Sequence, residues 1–243
     1  MTGAAHLRQL SAWVRWEPDP DTAVAVLSAI AMIPLYYLSV HLTGWPGTAT
    51  LFIQMVLLGV VFPVWWLVWH RKKTLADLGI TRVHTAASIV AGIVLAILFY
   101  HKLLIWVSGP AVIPQLLVNA CMFWEPFFVF GWLFLCFYRA FGIVPGILFT
   151  SLAFAAYHLG TYPAEGLVML LIVGLLFGCI FCTTQNILIL WPFSWTVSSG
   201  IGTAMGGMVF GWRDVAVSAI VLVISLAFIA YTAHAGPGHE SGT

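Results

Sequence analysis

The chain has 243 residues, is 62% apolar and only 7% charged, where a soluble domain carries about 25% charged residues. That excludes an ordinary soluble fold and indicates a polytopic membrane protein. Its net charge of +1 leaves no basic field for nucleic acid.

The first element, "MTGAAHLRQLSAWVRWEPDPD", is polar and amphipathic and lacks the apolar run of a signal peptide. It reads as a cytoplasmic or interfacial segment over 1–22, with no cleavage expected. A bilayer core needs about 20 apolar residues per helix. The chain supplies about eight such runs, roughly 23–43, 49–69, 86–106, 112–138, 143–161, 165–183, 186–209 and 214–233. The expected fold is therefore all-α: a single helical membrane bundle over 23–233 with a flexible tail at 234–243. "TGWPGT" is expected as a turn, "HRKKTLADLGITR" as a polar loop, and "SGPAVIP" and "GTYPAEG" as Pro/Gly breaks. Arg8, Arg15, Arg71, Lys72, Lys73, Arg82 and Arg139 fall on one side of these spans, with only Lys102 and Arg213 near the other. The positive-inside rule then puts both termini in the cytoplasm, in a bacterial plasma membrane.

Cys121, Cys136, Cys179 and Cys182 all lie in apolar runs. "CIFC" has the spacing of a redox or metal pair but no second pair beside it, so these cysteines read as small buried hydrophobes. Histidines at 41, 70, 84, 101, 234 and 239 sit at span edges or in polar segments. No two share metal-ligand spacing on one helix, so neither a metal nor another cofactor is expected.

The informative stretch is "FWEPFFVFG". Of eight Asp and Glu, Glu125 alone falls deep within a span. A carboxylate there costs several kcal/mol unless it faces a wet cavity or the bundle interior, and is a functional residue by default. Pro126 disfavours helical backbone at the residue before it and removes a donor to the Met122 carbonyl. Irregular backbone at membrane depth is tolerated where it lines a cavity, so the acid and the break point to one pocket. His158, in "LAFAAYHLG", ends the next span. Antiparallel neighbours can bring it to Glu125, although straight helices leave it nearer the outer surface. The pair suits acid/base chemistry.

The stretch from Glu125 to His158 resembles the CPBP (CAAX prenyl protease and bacteriocin-processing, or Abi) family of intramembrane peptidases, over about residues 74–205. That family carries Glu-Glu-x-x-x-Arg, usually followed by Gly, and then Phe-x-x-x-His. Here Glu125 matches the first glutamate, Gly131 the glycine, and Phe154 and His158 the second motif, with Gly142 and Pro145 at the positions of a preceding Gly and Pro. "LADLGITR" is similar to the loop before the family core, and "TQNILILWPFSWTVSSG" to the helix of the third motif. Pro126 replaces the second glutamate and Phe130 the arginine. Anchored on Thr184 and Asn186, Ser194 and Ser198 replace the His and Asn of the third motif. Anchored on Trp191 and Pro192, Val197 and Ile201 do. The resemblance implies that Glu125 and His158 activate water on a peptide carbonyl. Ser194 and Ser198, at i,i+4 on one helical face, would act as weaker oxyanion donors.

Three functions follow. The first is an intramembrane hydrolase acting on a lipophilic or membrane-embedded peptide. The second is a non-proteolytic isomerase, cyclase or hydratase acting on a lipophilic small molecule. The third is an inactive relative that binds a lipid, peptide or partner helix.

Overall fold

The computed structural model describes residues 13–106, 109 and 112–236. The first twelve residues with Arg8, positions 108, 110 and 111 of the "SGPAVIP" break and the end of the tail lie outside the described residues, as do the side chains of 102–106, 199 and 201–206.

The described residues form helices α1 (Pro20–His41), α2 (Gly44–His70), α3 (Thr85–Trp106), α4 (Val112–Cys121), α5 (124–141), α6 (Ile143–Ala156), α7 (Ala164–Thr184), α8 (Leu190–Gly206) and α9 (Trp212–Ala235). Among the described residues, five stretches are long and apolar enough to cross a membrane: α1, α2, α4 with α5, α7 and α9. The molecule is an integral membrane helical bundle. The eight expected runs each correspond to helix, and one of them is built as the two pieces α4 and α5.

Local chemistry sets the ends. Asp19 caps α1, accepting from the Thr22 amide at 2.8 Å with Pro20 at the first helical position, where its missing N–H costs nothing. "TGWPGT", expected as a turn, is helical from Gly44, because Pro46 falls in a first turn that needs no donor from it. α6 stops at Ala156, short of the expected 161, and the chain passes through turns over 157–161, with Gly160 at φ +79°.

α5 is the centre of the bundle. Over 18 consecutive apolar residues of the α4–α5 stretch 78% are buried, against 22% over 18 residues of α1. Phe127, Phe128, Phe130, Trp132 and Phe134 are all enclosed, as expected of a helix apolar on every side. From Phe127 to Phe134 it is wound as a π-helix, a form frequent near functional sites. Around it, α3 packs on α8, α6 on α7, and α4 on both α8 and α9. Trp132 Nε1 donates to Ser28 Oγ at 2.9 Å, tying α5 to α1.

One end of the bundle collects the basic side chains. Asp21 is 1% exposed and accepts from Arg71 Nε at 2.9 Å, Lys73 Nζ at 2.6 Å and Trp66 Nε1 at 3.0 Å. Arg139 reaches the Asp77 carbonyl at 3.3 Å. Asp21→Ala is expected to destabilise the protein by about 2–3 kcal/mol, because three hydrogen bonds go and two cations are left to rehydrate. Thermal unfolding in detergent measures it, and an unchanged midpoint contradicts the assignment.

Candidate functional site

The chain breaks within the membrane span at Met122–Phe123, between α4 and α5. Glu125 itself is helical, in the first turn of α5, with Pro126 directly after it. The sequence expectation put the irregular residue at Glu125. The break instead falls where Pro126 withholds a donor, around the Met122 carbonyl, since proline is tolerated within a first helical turn. Glu125 is thus held on regular backbone beside an opening.

That opening is a cavity of about 370 Å³. Glu125, His158, Tyr36, Gln54, Asn119 and Ser198 are among the residues lining it. Asp214 also lines it, and its carboxylate accepts from the Gly211 amide at 2.8 Å at the start of α9. A second space of about 250 Å³, bounded by the α1–α2 link and by α9, shares Ser39, Leu51, Met55, Met122 and Phe210 with the first.

His158 Nε2 lies 3.9 Å from Glu125 Oε1. This is too long for a direct hydrogen bond. His158 Nδ1 donates to the Phe154 carbonyl at 2.8 Å; a carbonyl only accepts, so Nδ1 carries the proton and Nε2 presents its lone pair toward Glu125. The turn after α6 makes this possible. The regular helix ends at Ala156 and His158 sits in the turn that follows, with its imidazole buried. Three tyrosines hold the ring: Tyr157 stacks at 4.1 Å between centroids, and Tyr36 and Tyr162 meet it edge-on at 4.6 and 5.1 Å.

Tyr157 was not legible as a site residue. Its hydroxyl donates to Glu125 Oε1, fixing the carboxylate that faces His158. Gln54 and Asn119, fully or nearly buried, also line the cavity, and neither is an acid or a histidine. Polar amides in the middle of apolar spans were the available signal.

The serines divide. Ser198 lines the cavity. Ser194 is buried and outside the lining, with its hydroxyl donating to the Trp191 carbonyl at 2.8 Å. The two are one turn apart, about 5.4 Å along α8, so only the one further along the helix reaches the cavity. Val197, from the other alignment, is a partly buried apolar residue against the core, and the side chain of Ile201 lies outside the described residues. Phe130, in place of the arginine, packs against Phe177 and Phe181 at 5.9 and 6.2 Å. Among the described residues no Lys or Arg lines the cavity, and no three His, Cys, Asp or Glu gather closely enough to hold a metal. The four cysteines are free thiols.

The motif glycine has a physical role. A Cβ at Gly131 would stand 2.6 Å from the Leu78 carbonyl oxygen, so the "LADLGITR" segment lies directly on α5. Asn186 fastens that segment to the start of α8, donating to the Thr81 and Val83 carbonyls at 3.0 Å each, while Ile187 N donates to Gly79 O at 2.9 Å.

A family model described as Type II CAAX prenyl endopeptidase Rce1-like matches residues 108–200, a stretch that contains Glu125, His158, Ser194 and Ser198. No curated protein and no solved structure gives a significant match.

Proposed function

We infer, from the membership of the CPBP family that the match over residues 108–200 supports, that this chain is an intramembrane peptidase whose acid/base pair is Glu125 and His158. The observation that carries the reading is the 3.9 Å approach of His158 Nε2 to Glu125 Oε1 on the wall of a cavity inside a membrane bundle. One water bridging the two groups gives its proton to Glu125 as its oxygen bonds to the substrate carbonyl carbon. His158 Nε2 accepts the second hydrogen of that water and orients it. The carbon–nitrogen bond then breaks, and the proton held by Glu125 passes to the leaving amine. The side chain of Glu125 is 18% exposed, so water reaches it.

The apolar part of the wall, with Leu51, Met55, Leu170 and Val173, suits a lipophilic or membrane-embedded peptide. The end bearing Arg71, Lys73 and Arg139 is the cytoplasmic one in this reading. A second reading, an isomerase, cyclase or hydratase on a lipophilic small molecule, is favoured by one observation. The positions matching the third-motif His and Asn hold no such side chains, and Ser194 is turned to Trp191.

Mass spectrometry of membranes from cells expressing the wild type or Glu125→Gln separates these. New peptide termini that depend on Glu125 identify the peptidase. A Glu125-dependent isomer or hydrate identifies the second reading. No difference with both proteins folded leaves a binding role.

Tyr157 is a positioning residue in this scheme. Tyr157→Phe is expected to lower kcat about tenfold at similar KM, the loss of one charge-assisted hydrogen bond. It is expected to have no further effect in a Glu125→Gln background. Additive losses in the double variant contradict that role.

A further inference from the structure

The wall of the cavity comes from one half of the bundle. α1 starts at the basic end, where Asp21 meets Arg71 and Lys73, and contributes Tyr36, Ser39 and Val40 near its other end. α2 runs the opposite way, toward Arg71, and contributes Leu51, Gln54 and Met55 from its first half. α7 ends beside the loop at Gly79, which Ile187 N reaches at 2.9 Å, and its contribution, Leu170 and Val173, again comes from the half away from that loop. α9 adds Asp214 from its first turn. α8 begins level with the α4–α5 break, where Trp191 Nε1 donates to the Ala120 carbonyl at 2.8 Å. Ser198, further along α8, therefore lies on the side away from the basic end, as does Phe210, whose amide donates to Gln115 Oε1 near the start of α4 at 3.0 Å.

Exposure grades along this wall. Val40 is 46% exposed and Asp214 is exposed, whereas Gln54, Trp124 and His158 are at most 4% exposed. On the basic side of Glu125 the interior is filled: Phe127, Phe130, Leu78, Phe177 and Phe181 are at most 3% exposed. Among the described residues, no part of the wall comes from the basic end. The mouth is therefore at the Val40–Asp214 end, and a chain coming from the basic end would have to part a close-packed aromatic layer to reach Glu125.

Charge assigns that end to a side of the membrane. Arg15, Arg71, Lys72, Lys73, Arg82 and Arg139 belong to the filled end, and Lys102, near the end of α3, and Arg213 to the open one. The cation-rich end is the cytoplasmic one.

We propose that the Glu125–His158 cavity opens on the outer face of the membrane and takes its substrate from there: an apolar stretch of a polypeptide already inserted or translocated, and not a chain end presented in the cytoplasm. The nature of the reaction rests on the peptidase reading; the side of the opening does not. Water and substrate share the one mouth, and both products leave by it to the outer side. Leu51, Met55, Leu170 and Val173 match the apolar stretch.

Single cysteines test this in the full chain, with the four native cysteines replaced by alanine. Ser198→Cys probes the cavity, Asp214→Cys its rim and Lys72→Cys the basic end. Right-side-out spheroplasts and inside-out vesicles are treated with the impermeant cationic thiosulfonate MTSET, and the remaining thiols are read by a maleimide gel shift. Ser198→Cys and Asp214→Cys are expected to react about tenfold or more faster in spheroplasts, and Lys72→Cys in inside-out vesicles, because a fixed charge does not cross hydrocarbon. If the cysteine-free chain does not fold, Cys136, 1% exposed, is kept. Adding Glu125→Gln is expected to leave the pattern unchanged, which makes it independent of turnover.

Reaction of Ser198→Cys from the inside, from neither side, or from the same side as Lys72→Cys overturns the proposal. The substrate is read by mass spectrometry of membranes from cells expressing the wild type or Glu125→Gln. Glu125-dependent new termini in outward segments support it, and termini confined to cytoplasmic segments overturn it. Outward labelling with no Glu125-dependent termini removes the peptidase reading, and the peptide with it, and keeps the outward mouth. Inward labelling with such termini does the reverse.

Discussion

Glutamine at position 125 is expected to reduce turnover about 10²- to 10⁴-fold, the contribution of a positioned general base, and to leave the amount of folded protein near wild type. The carboxamide has the volume and reach of the carboxylate, and its oxygen still accepts the Tyr157 hydroxyl that holds Glu125 in place. Its side chain is 18% exposed, so the new NH₂ finds water or the His158 lone pair. What it cannot do is take a proton from water. Rate and thermal midpoint measured on the same preparation separate the two roles. A large loss of rate at constant midpoint places Glu125 in the chemistry. A fall of both together makes it a structural acid, kept for its bond to Tyr157.

Alanine at position 131 is expected to damage the fold rather than the chemistry, by about 2–3 kcal/mol, the upper range for an added methyl group in a close-packed interior. The added Cβ would meet the Leu78 carbonyl oxygen at 2.6 Å and a Phe127 ring carbon at 3.5 Å. Neither neighbour can give way cheaply. Leu78 lies in a short turn bonded on both sides, through Gly79 N to Ala76 O and through Gly79 O to Ile187 N. Phe127 is enclosed. The measurement is the unfolding midpoint in detergent. A midpoint within a degree of wild type would mean that the loop shifts freely and that the close approach has no energetic weight.

The sequence made the bundle and its acid legible. Whether a run crosses the bilayer depends on its own length and composition, because hydrocarbon offers no partner for charge or for open backbone. The eight runs and the isolation of Glu125 could therefore be read residue by residue. The match over 108–200 covers the same Glu125–His158 stretch that carried the resemblance. Local rules failed where a neighbour decided the outcome. Pro126 signalled a break, and the chain placed it at Met122–Phe123 because a proline fits the first turn of a new helix. The sequence pattern continued the sixth helix through His158, and the tertiary fold ended it at Ala156, with His158 Nε2 3.9 Å from Glu125 Oε1.

Facing and depth were beyond the sequence altogether. Ser194 and Ser198 are equivalent by spacing, yet only Ser198 meets the cavity, since α8 crosses it over part of its length. Gln54 and Trp124 read as ordinary span residues until packing set them around one space, and Tyr157 until its hydroxyl met Glu125. What the sequence determined by itself is what transfer from water to lipid determines: which segments enter the membrane and which residue pays to be there. What the tertiary structure alone decided is which side chains share the cavity, because that depends on helices far apart in the chain meeting at one depth.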